Sequence, residues 1–246
     1  MSIYNKILAQ YWGYKDFRPL QKDIIQSVSQ GQDTLALMPT GGGKSLTFQV
    51  PTMAMEGLCL VITPLIALMK DQVDNLKARG IKALAIYSGM SYQEILTTLD
   101  NAILGDFKFL YISPERINTQ LFLKKMESMN ICLVAVDEAH CISQWGYDFR
   151  PAYMNLGIIR EHLPKVPILA LTATATEDVV KDIQTQLRFS AENTFKKSFE
   201  RKNLKYQVYQ TEDKINYLIK LLEKTSGSAI VYVRSRLKTK EIATEL

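Results

Sequence analysis

Lys44 and Ser45 close the run MPTGGGKS at residues 38–45, and Asp137 and Glu138 open the run DEAHCISQWGYDFRP at 137–151. Consecutive glycines, Gly41, Gly42 and Gly43, let backbone N–H groups turn inward around phosphate oxygens. Thr40 enters the same turn, Lys44 can reach terminal phosphates, and the Ser45 hydroxyl can ligate Mg2+. A carboxylate at the end of an apolar strand, Asp137, suits the same cation, and Glu138 beside it can polarise an attacking water as a general base. The chemistry these residues imply together is hydrolysis of ATP or another nucleoside triphosphate. Met38 stands where phosphate loops usually begin with Gly, but the groups the chemistry needs are retained. Trp145, Tyr147, Phe149 and Arg150 follow the acid pair within a dozen residues. Aromatic rings stack on nucleobases of any sequence for roughly 1–3 kcal/mol each, and an arginine adds a phosphate or cation–π contact. One short loop therefore carries both water chemistry and stacking chemistry.

The elements that must position these groups are legible as short apolar runs. TLALM (34–38), LCLVIT (58–63), ALAIY (83–87), FKFLYIS (107–113), CLVAVD (132–137) and PILALTA (167–173) read as buried strands of a parallel sheet. Helical patterns alternate with them at 44–55, 65–79, 91–104, 118–128, 152–163 and 176–187. The alternation predicts a doubly wound α/β sheet, with ligands at the carboxyl ends of the strands. The polar, basic stretch at 190–205 marks a boundary. Beyond it lie a helical pattern (213–224), the turn TSGS, a buried-strand pattern AIVYV (229–233) and the start of a helix. That is the opening of a second α/β unit, and one parallel strand cannot make a domain by itself.

Composition narrows the classes. At 47% hydrophobic and 22% charged, the 246 residues are neither disordered nor membrane-spanning. The first residues lack a signal-peptide pattern, which implies a cytoplasmic protein, nucleoid-associated if bacterial, with no membrane partner. Cys59, Cys132 and Cys141 form no CxxC pair, so reduced thiols are expected rather than disulfides or a zinc site. The net charge of +5 is unevenly spread. Residues 196–246 hold 12 Lys/Arg and 6 Asp/Glu, which leaves 5 − 6 = −1 for residues 1–195. A nucleic-acid reading of the first three quarters must therefore rest on local groups.

Taken in order, MPTGGGKS, DEAH and ALTATAT (170–176) resemble motifs I, II and III of superfamily 2 helicases, and QWGYDFRP resembles the aromatic-rich loop of the RecQ family of DNA helicases. The resemblance implies a RecA-like P-loop NTPase domain with a mostly parallel sheet flanked by helices (1–198), then a linker and an incomplete second RecA-like lobe (199–246). It implies an ATP-dependent, 3′–5′ DNA helicase using ATP and Mg2+, acting on single-stranded and duplex DNA alongside other repair or recombination proteins. WGYKDFRPLQ (12–21) is similar to motif 0, in which Tyr14 would stack on adenine while Arg18 and Gln21 hydrogen-bond it. Residues 62–73 and 111–117 resemble motifs Ia and Ib of the strand-binding face, 198–204 the entry to the second lobe and 229–236 motif IV. Trp145, Phe149 and Arg150 would sense DNA, with His140, Gln144, Thr172 and Thr174 relaying to the γ-phosphate region. His162 reads as a surface residue.

Two departures stand out: Tyr147 replaces the family histidine and Lys202 the family proline. No motif V or VI occurs within residues 1–246, so this stretch is expected to bind Mg-ATP, hydrolyse it slowly and not unwind DNA. Strand 229–233 would lack parallel neighbours unless another chain supplies them. The alternatives are an RNA-dependent superfamily 2 helicase, or a nucleotide- or DNA-binding module without turnover.

Overall fold

Six apolar runs of the sequence become adjacent strands because each is buried on both faces. The computed structural model describes residues 2–144, 150–196 and 204–246, which fall into two units, Met1–Phe199 and Glu200–Leu246. In the first unit the chain order is α1 (Ile3–Trp12), α2 (Gln21–Ser29), β1 (Thr34–Leu37), α3 (Leu46–Ala54), β2 (Leu58–Ile62), α4 (Ile66–Ala78), β3 (Ala83–Ile86), α5 (Tyr92–Leu104), β4 (Phe109–Ile112), α6 (Pro114–Ile117), α7 (Gln120–Met126) and β5 (Ile131–Val136). Two 3-10 helices, Ala139–Ile142 and Pro151–Ile158, then lead through α8 (Ile159–His162) to β6 (Ile168–Thr172), α9 (Glu177–Gln186) and β7 (Thr194–Lys196). The sheet order is β3-β4-β2-β5-β6-β1-β7, and every pairing is parallel. The fold is thus a RecA-like sheet flanked by helices.

Side chains alternate between two cores. Leu35 and Leu37 of β1, Leu60 and Ile62 of β2 and Val134 and Val136 of β5 face one cluster, which includes residues of α5, α7 and α9. Ala36, Cys59, Val61, Leu133 and Ala135 face the other, against α2, α3 and α4. Each fully buried aliphatic side chain contributes about 2 kcal/mol. Burial pushes the Cys59 thiol up and that of Cys132 to about 11, which keeps both protonated and unreactive. Among the described residues no helix is long and apolar enough to cross a membrane.

Three elements differ from the sequence reading. The expected helix at 118–128 is the shorter α7, and a separate helix of one turn, α6, precedes it at Pro114–Ile117. The expected helix at 152–163 is mostly 3-10. Pro151 starts it, and Gly157 lies so close to the end of α9 that a Cβ there would sit 2.6 Å from the Gln186 carbonyl oxygen. Strand β7 lies inside the stretch read as a boundary. Its pairing to β1 is tertiary, set by a polar knot at the amino end of β1. Asp33 is buried, with one oxygen accepting from Arg160 Nη2 (2.7 Å) and the Ile168 N–H (3.0 Å) and the other from the Ser190 N–H (2.9 Å). Asn193 donates to the Asp33 carbonyl (2.9 Å), and its own carbonyl accepts from the Leu35 N–H (2.9 Å).

The second unit contains α10 (Lys214–Glu223) and α11 (Arg236–Glu245), neither of which has a buried residue. The strand expected at 229–233 is not formed: the segment is irregular, with Ile230 77% and Tyr232 89% exposed. The physical reason is the lack of a neighbouring strand among the described residues, since a β-strand's polar backbone is satisfied only by a partner.

Two outcomes follow from this architecture. Asp33→Ala removes the counter-charge of Arg160, which keeps its bonds to the Pro164 and Val166 carbonyls, and leaves two N–H donors without their acceptor; it should lower unfolding stability by about 3 kcal/mol, and a loss below about 1 kcal/mol in urea titration would show the knot to be incidental. Amides of 229–233 should exchange almost as fast as in an unfolded chain while those of β1, β5 and β6 exchange slowly, and strong protection of 229–233 in a monomer would contradict this.

Candidate active site

The strand order sets β5, β6 and β1 side by side, so three loops emerge together at the carboxyl edge: Asp137–His140, Thr172–Thr174 and Met38–Ser45. Lys44 Nζ lies 3.9 Å from Glu138 Oε1, although the two residues come from separate loops. Met38 is tolerated at the start of the glycine loop because its side chain is buried in the α2/α3/α4 core and faces no ligand. Its N–H donates to the Thr172 carbonyl (3.0 Å), which ties the two loops. Gly43 has φ +80°, a conformation that favours glycine, and a Cβ there would sit 2.3 Å from Gln21 Nε2 and displace that carboxamide. Ser45 directly precedes α3, and Thr47 Oγ1 and its N–H both bond the Lys44 carbonyl. Thr40 is exposed at the lip of the loop.

The acid turn is held tightly. The Asp137 N–H continues the β5 ladder to the Ile62 carbonyl (2.8 Å), and Asp137 Oδ1 accepts the Glu138 N–H (3.0 Å). Asp137 is 8% exposed. Burial, reinforced by the Glu138 charge and partly offset by Lys44 and the Glu138 N–H, pushes its carboxyl up to about 6. Glu138 adopts φ 49°, ψ 44°, a left-handed conformation rare outside glycine. The Thr172 hydroxyl donates to the Thr174 carbonyl (3.1 Å) and meets His140 Nδ1 at 2.9 Å. His140 Nδ1 also lies 3.3 Å from Glu138 Oε2. Glu138, His140, Thr172 and Thr174 are therefore contiguous.

Beside the glycine loop lies a cavity of about 420 Å³ lined by Tyr14, Arg18 and Gln21 together with Gln49, Gln72 and Arg79. Tyr14 is 53% exposed, with its ring free to be covered. Arg18 Nη1 donates to the Gly41 carbonyl, and Gln21 Nε2 to the Gly43 carbonyl (2.9 Å). Gln21 Oε1 accepts the Arg18 N–H (2.8 Å), so this carboxamide braces the glycine loop, a job the sequence did not suggest. Gln49 and Gln72 were also missed. Gln49 Nε2 donates to the Tyr111 hydroxyl (3.3 Å), which donates to Gln72 Oε1 (2.9 Å). A tyrosine inside a buried-strand run was the available signal, since a buried phenol needs a partner.

Of the loop residues, Gln144 is exposed, and Arg150 is half-buried with its N–H on the Cys141 carbonyl (3.0 Å). Trp145, Tyr147 and Phe149 lie outside the described residues. His162 contacts Glu127 (2.8 Å) on the periphery. Tyr153, not singled out from the sequence, is fully buried and donates its hydroxyl to the Asp137 carbonyl (2.9 Å).

A parallel sheet carrying a glycine-rich phosphate loop after β1 and an acid pair after β5 defines a RecA-like P-loop NTPase domain. The chain belongs to the DEAD/DEAH box helicase family, which it matches over residues 18–183. It is similar throughout to RecQ-type helicases. It is 42% identical to the probable ATP-dependent DNA helicase RecS of Bacillus subtilis over 250 residues, 100% of this chain and 50% of the relative. It is 44% identical to the ATP-dependent DNA helicase RecQ of the same organism over 243 residues, 98% of this chain and 41% of the relative. The solved structure of the DUF1998 helicase MrfA shares the fold, with a TM-score of 0.74 over 99% of this chain and 40% of that one at 18% identity. The chain thus spans half or less of the length of these relatives.

The buried acid gives a pH-dependent outcome. Asp137 titrates near 6 in the folded protein against an ordinary 3.8. The folded state therefore holds more protons between these values, and the group's contribution to stability is full below about pH 4 and lost as pH rises through 6. Asp137→Asn keeps the acceptor for the Glu138 N–H without the charge. In EDTA and without nucleotide at pH 8 it should raise stability by about 2 kcal/mol and flatten the profile between pH 4 and 6. Denaturant titration across that range checks both.

Proposed function

We propose that this chain carries the ATP-binding lobe (1–198) and the entry to the second lobe (199–246) of a RecQ-type ATP-dependent 3′–5′ DNA helicase. The observation that carries the reading is the convergence of Lys44, Glu138 and buried Asp137 at the mouth of a glycine loop in which Gly41 and Gly43 hold positive φ. The names of the RecS and RecQ relatives, both ATP-dependent DNA helicases, support the choice of substrate.

The residues present fit Mg2+: the Asp137 carboxylate and Ser45 hydroxyl are hard oxygen donors flanking the Lys44 ammonium. Held there, such an ion would supply positive charge against the phosphates. The chain's own residues do the rest. Backbone N–H groups of Gly41 and Gly43 and the Lys44 ammonium hold the phosphates, while the Gly42 N–H bonds the Pro39 carbonyl (2.9 Å) and Thr40 lies at the lip; Tyr14 stacks on adenine, and Arg18 and Gln21 set the base cavity against the loop. Glu138 takes the proton of the attacking water, and Lys44 and His140 fix its carboxylate. Through Thr172 and Thr174, His140 connects that carboxylate to the segment where Gln144, Trp145, Phe149 and Arg150 contact single-stranded DNA. Residues 1–246 alone hydrolyse ATP slowly, because the resemblance assigns the arginine that neutralises the transferring phosphoryl to a motif outside them. Such a group contributes about 10³–10⁵ in rate.

Lys44→Ala should weaken Mg-ATP binding at least about tenfold. Glu138→Gln should leave binding within about twofold and cut turnover roughly 100-fold or more, the scale of a general base. Nucleotide titration and single-turnover hydrolysis measure the two. Equal loss of binding in both variants would overturn the separate roles, and stimulation by single-stranded RNA in place of DNA would reassign the substrate.

A further inference from the structure

The peptide between Asp137 and Glu138 is the hinge of the acid pair. Its plane sets where the Glu138 side chain leaves the backbone, and Glu138 holds a left-handed conformation, φ 49°, that an L-residue does not keep unaided. This peptide is gripped at both ends. Its N–H donates to Asp137 Oδ1 (3.0 Å), and its carbonyl oxygen, that of Asp137, accepts the Tyr153 hydroxyl (2.9 Å). The first grip depends on a carboxylate whose bonding changes when the site fills. The second comes from a phenol seated in the core and outside the acid pair.

The phenol comes from a rigid seat. Tyr153 is 0% exposed within the α5/α7/α9 core. It lies in the first turn of the 3-10 helix begun by Pro151, and its N–H donates to the Arg150 carbonyl (2.9 Å). The Arg150 N–H in turn reaches the Cys141 carbonyl (3.0 Å), and Gly157 locks the other end of that helix against Gln186. The acid turn is thus bonded twice to the segment that begins at Arg150, once through backbone and once through the phenol.

We infer that Tyr153 is a positioning residue for Glu138: its hydroxyl, through the Asp137 carbonyl, holds the strained peptide that aims the proposed base at the attacking water. This rests on the role given to Glu138 above. The test is Tyr153→Phe in the whole chain, which keeps the ring and its packing and deletes only the donor. Amide exchange at Glu138 should accelerate at least about tenfold while Val134 and Val136 of β5 stay within about twofold, the pattern of a local opening. Single-turnover hydrolysis should fall about 10- to 100-fold, the scale of a misaimed catalytic group, with Mg-ATP affinity within about twofold. Unchanged exchange at Glu138 overturns the inference. So does a uniform rise along β5 with affinity and rate falling together, which marks a purely structural role. Glu138→Gln is the control for the underlying reading: if it leaves hydrolysis unchanged, the base assignment fails, and exchange at Glu138 still decides whether Tyr153 holds the turn.

Discussion

Parallel pairing of β1 with β6 and of β6 with β5 is the constraint on which the site depends. Leu37 lies opposite Thr172 and Val136 opposite Ala170, so the three strands end within two residues of one another. Because all run the same way, a lysine after β1, two threonines at and just beyond the end of β6 and two carboxylates after β5 meet without any loop having to fold back. A slip of one residue would send every side chain of the strand to the wrong core. The two cores therefore enforce the alignment of the chemistry, and the knot around Asp33 pins the opposite end of the same strands.

Two costs are concentrated at this edge. One is electrostatic, a carboxylate buried beside another. The other is conformational: Leu20 and Glu138 are two of the three non-glycine residues with positive φ among those described. Leu20 immediately precedes Gln21, the brace of the glycine loop, and Glu138 is the second member of the acid pair. Strain of this kind persists only where surrounding structure over-determines it, and the bonds of Gln21 and Tyr153 to neighbouring carbonyls supply that determination.

The sheet was legible wherever burial dictated the pattern: all six apolar runs are strands, because a strand covered on both faces must be apolar throughout. Strand β7 was not, since Thr194 and Lys196 are exposed and only Phe195 is partly covered; its pairing comes from Asn193 and Asp33, far apart in sequence. The run 229–233 failed in the opposite sense, having a strand's composition without a partner. At the site, the glycine loop and the acid pair were readable because their chemistry needs contiguous residues. The meeting of His140 with Thr172, separated by 32 residues, followed only from family resemblance. The bracing by Gln21 and Tyr153 was hidden, because a side chain bonded to a distant backbone carbonyl leaves no periodic trace in sequence.

Helix α4 has one property that reaches beyond the catalytic edge. Gln72, Leu76 and Arg79 wall the nucleotide cavity, while its first residues follow directly on Thr63–Leu65 at the carboxyl end of β2. Thirteen residues make a rod about 20 Å long. A rod whose second half lines a cavity and whose first residue continues a loop is a lever turning about its middle, where Gln72 accepts from the Tyr111 phenol. A tilt of about 5° there displaces each end by nearly 1 Å, given about 1.5 Å of rise per residue. Filling of the cavity at Leu76 and Arg79 would thereby be felt at Thr63–Leu65.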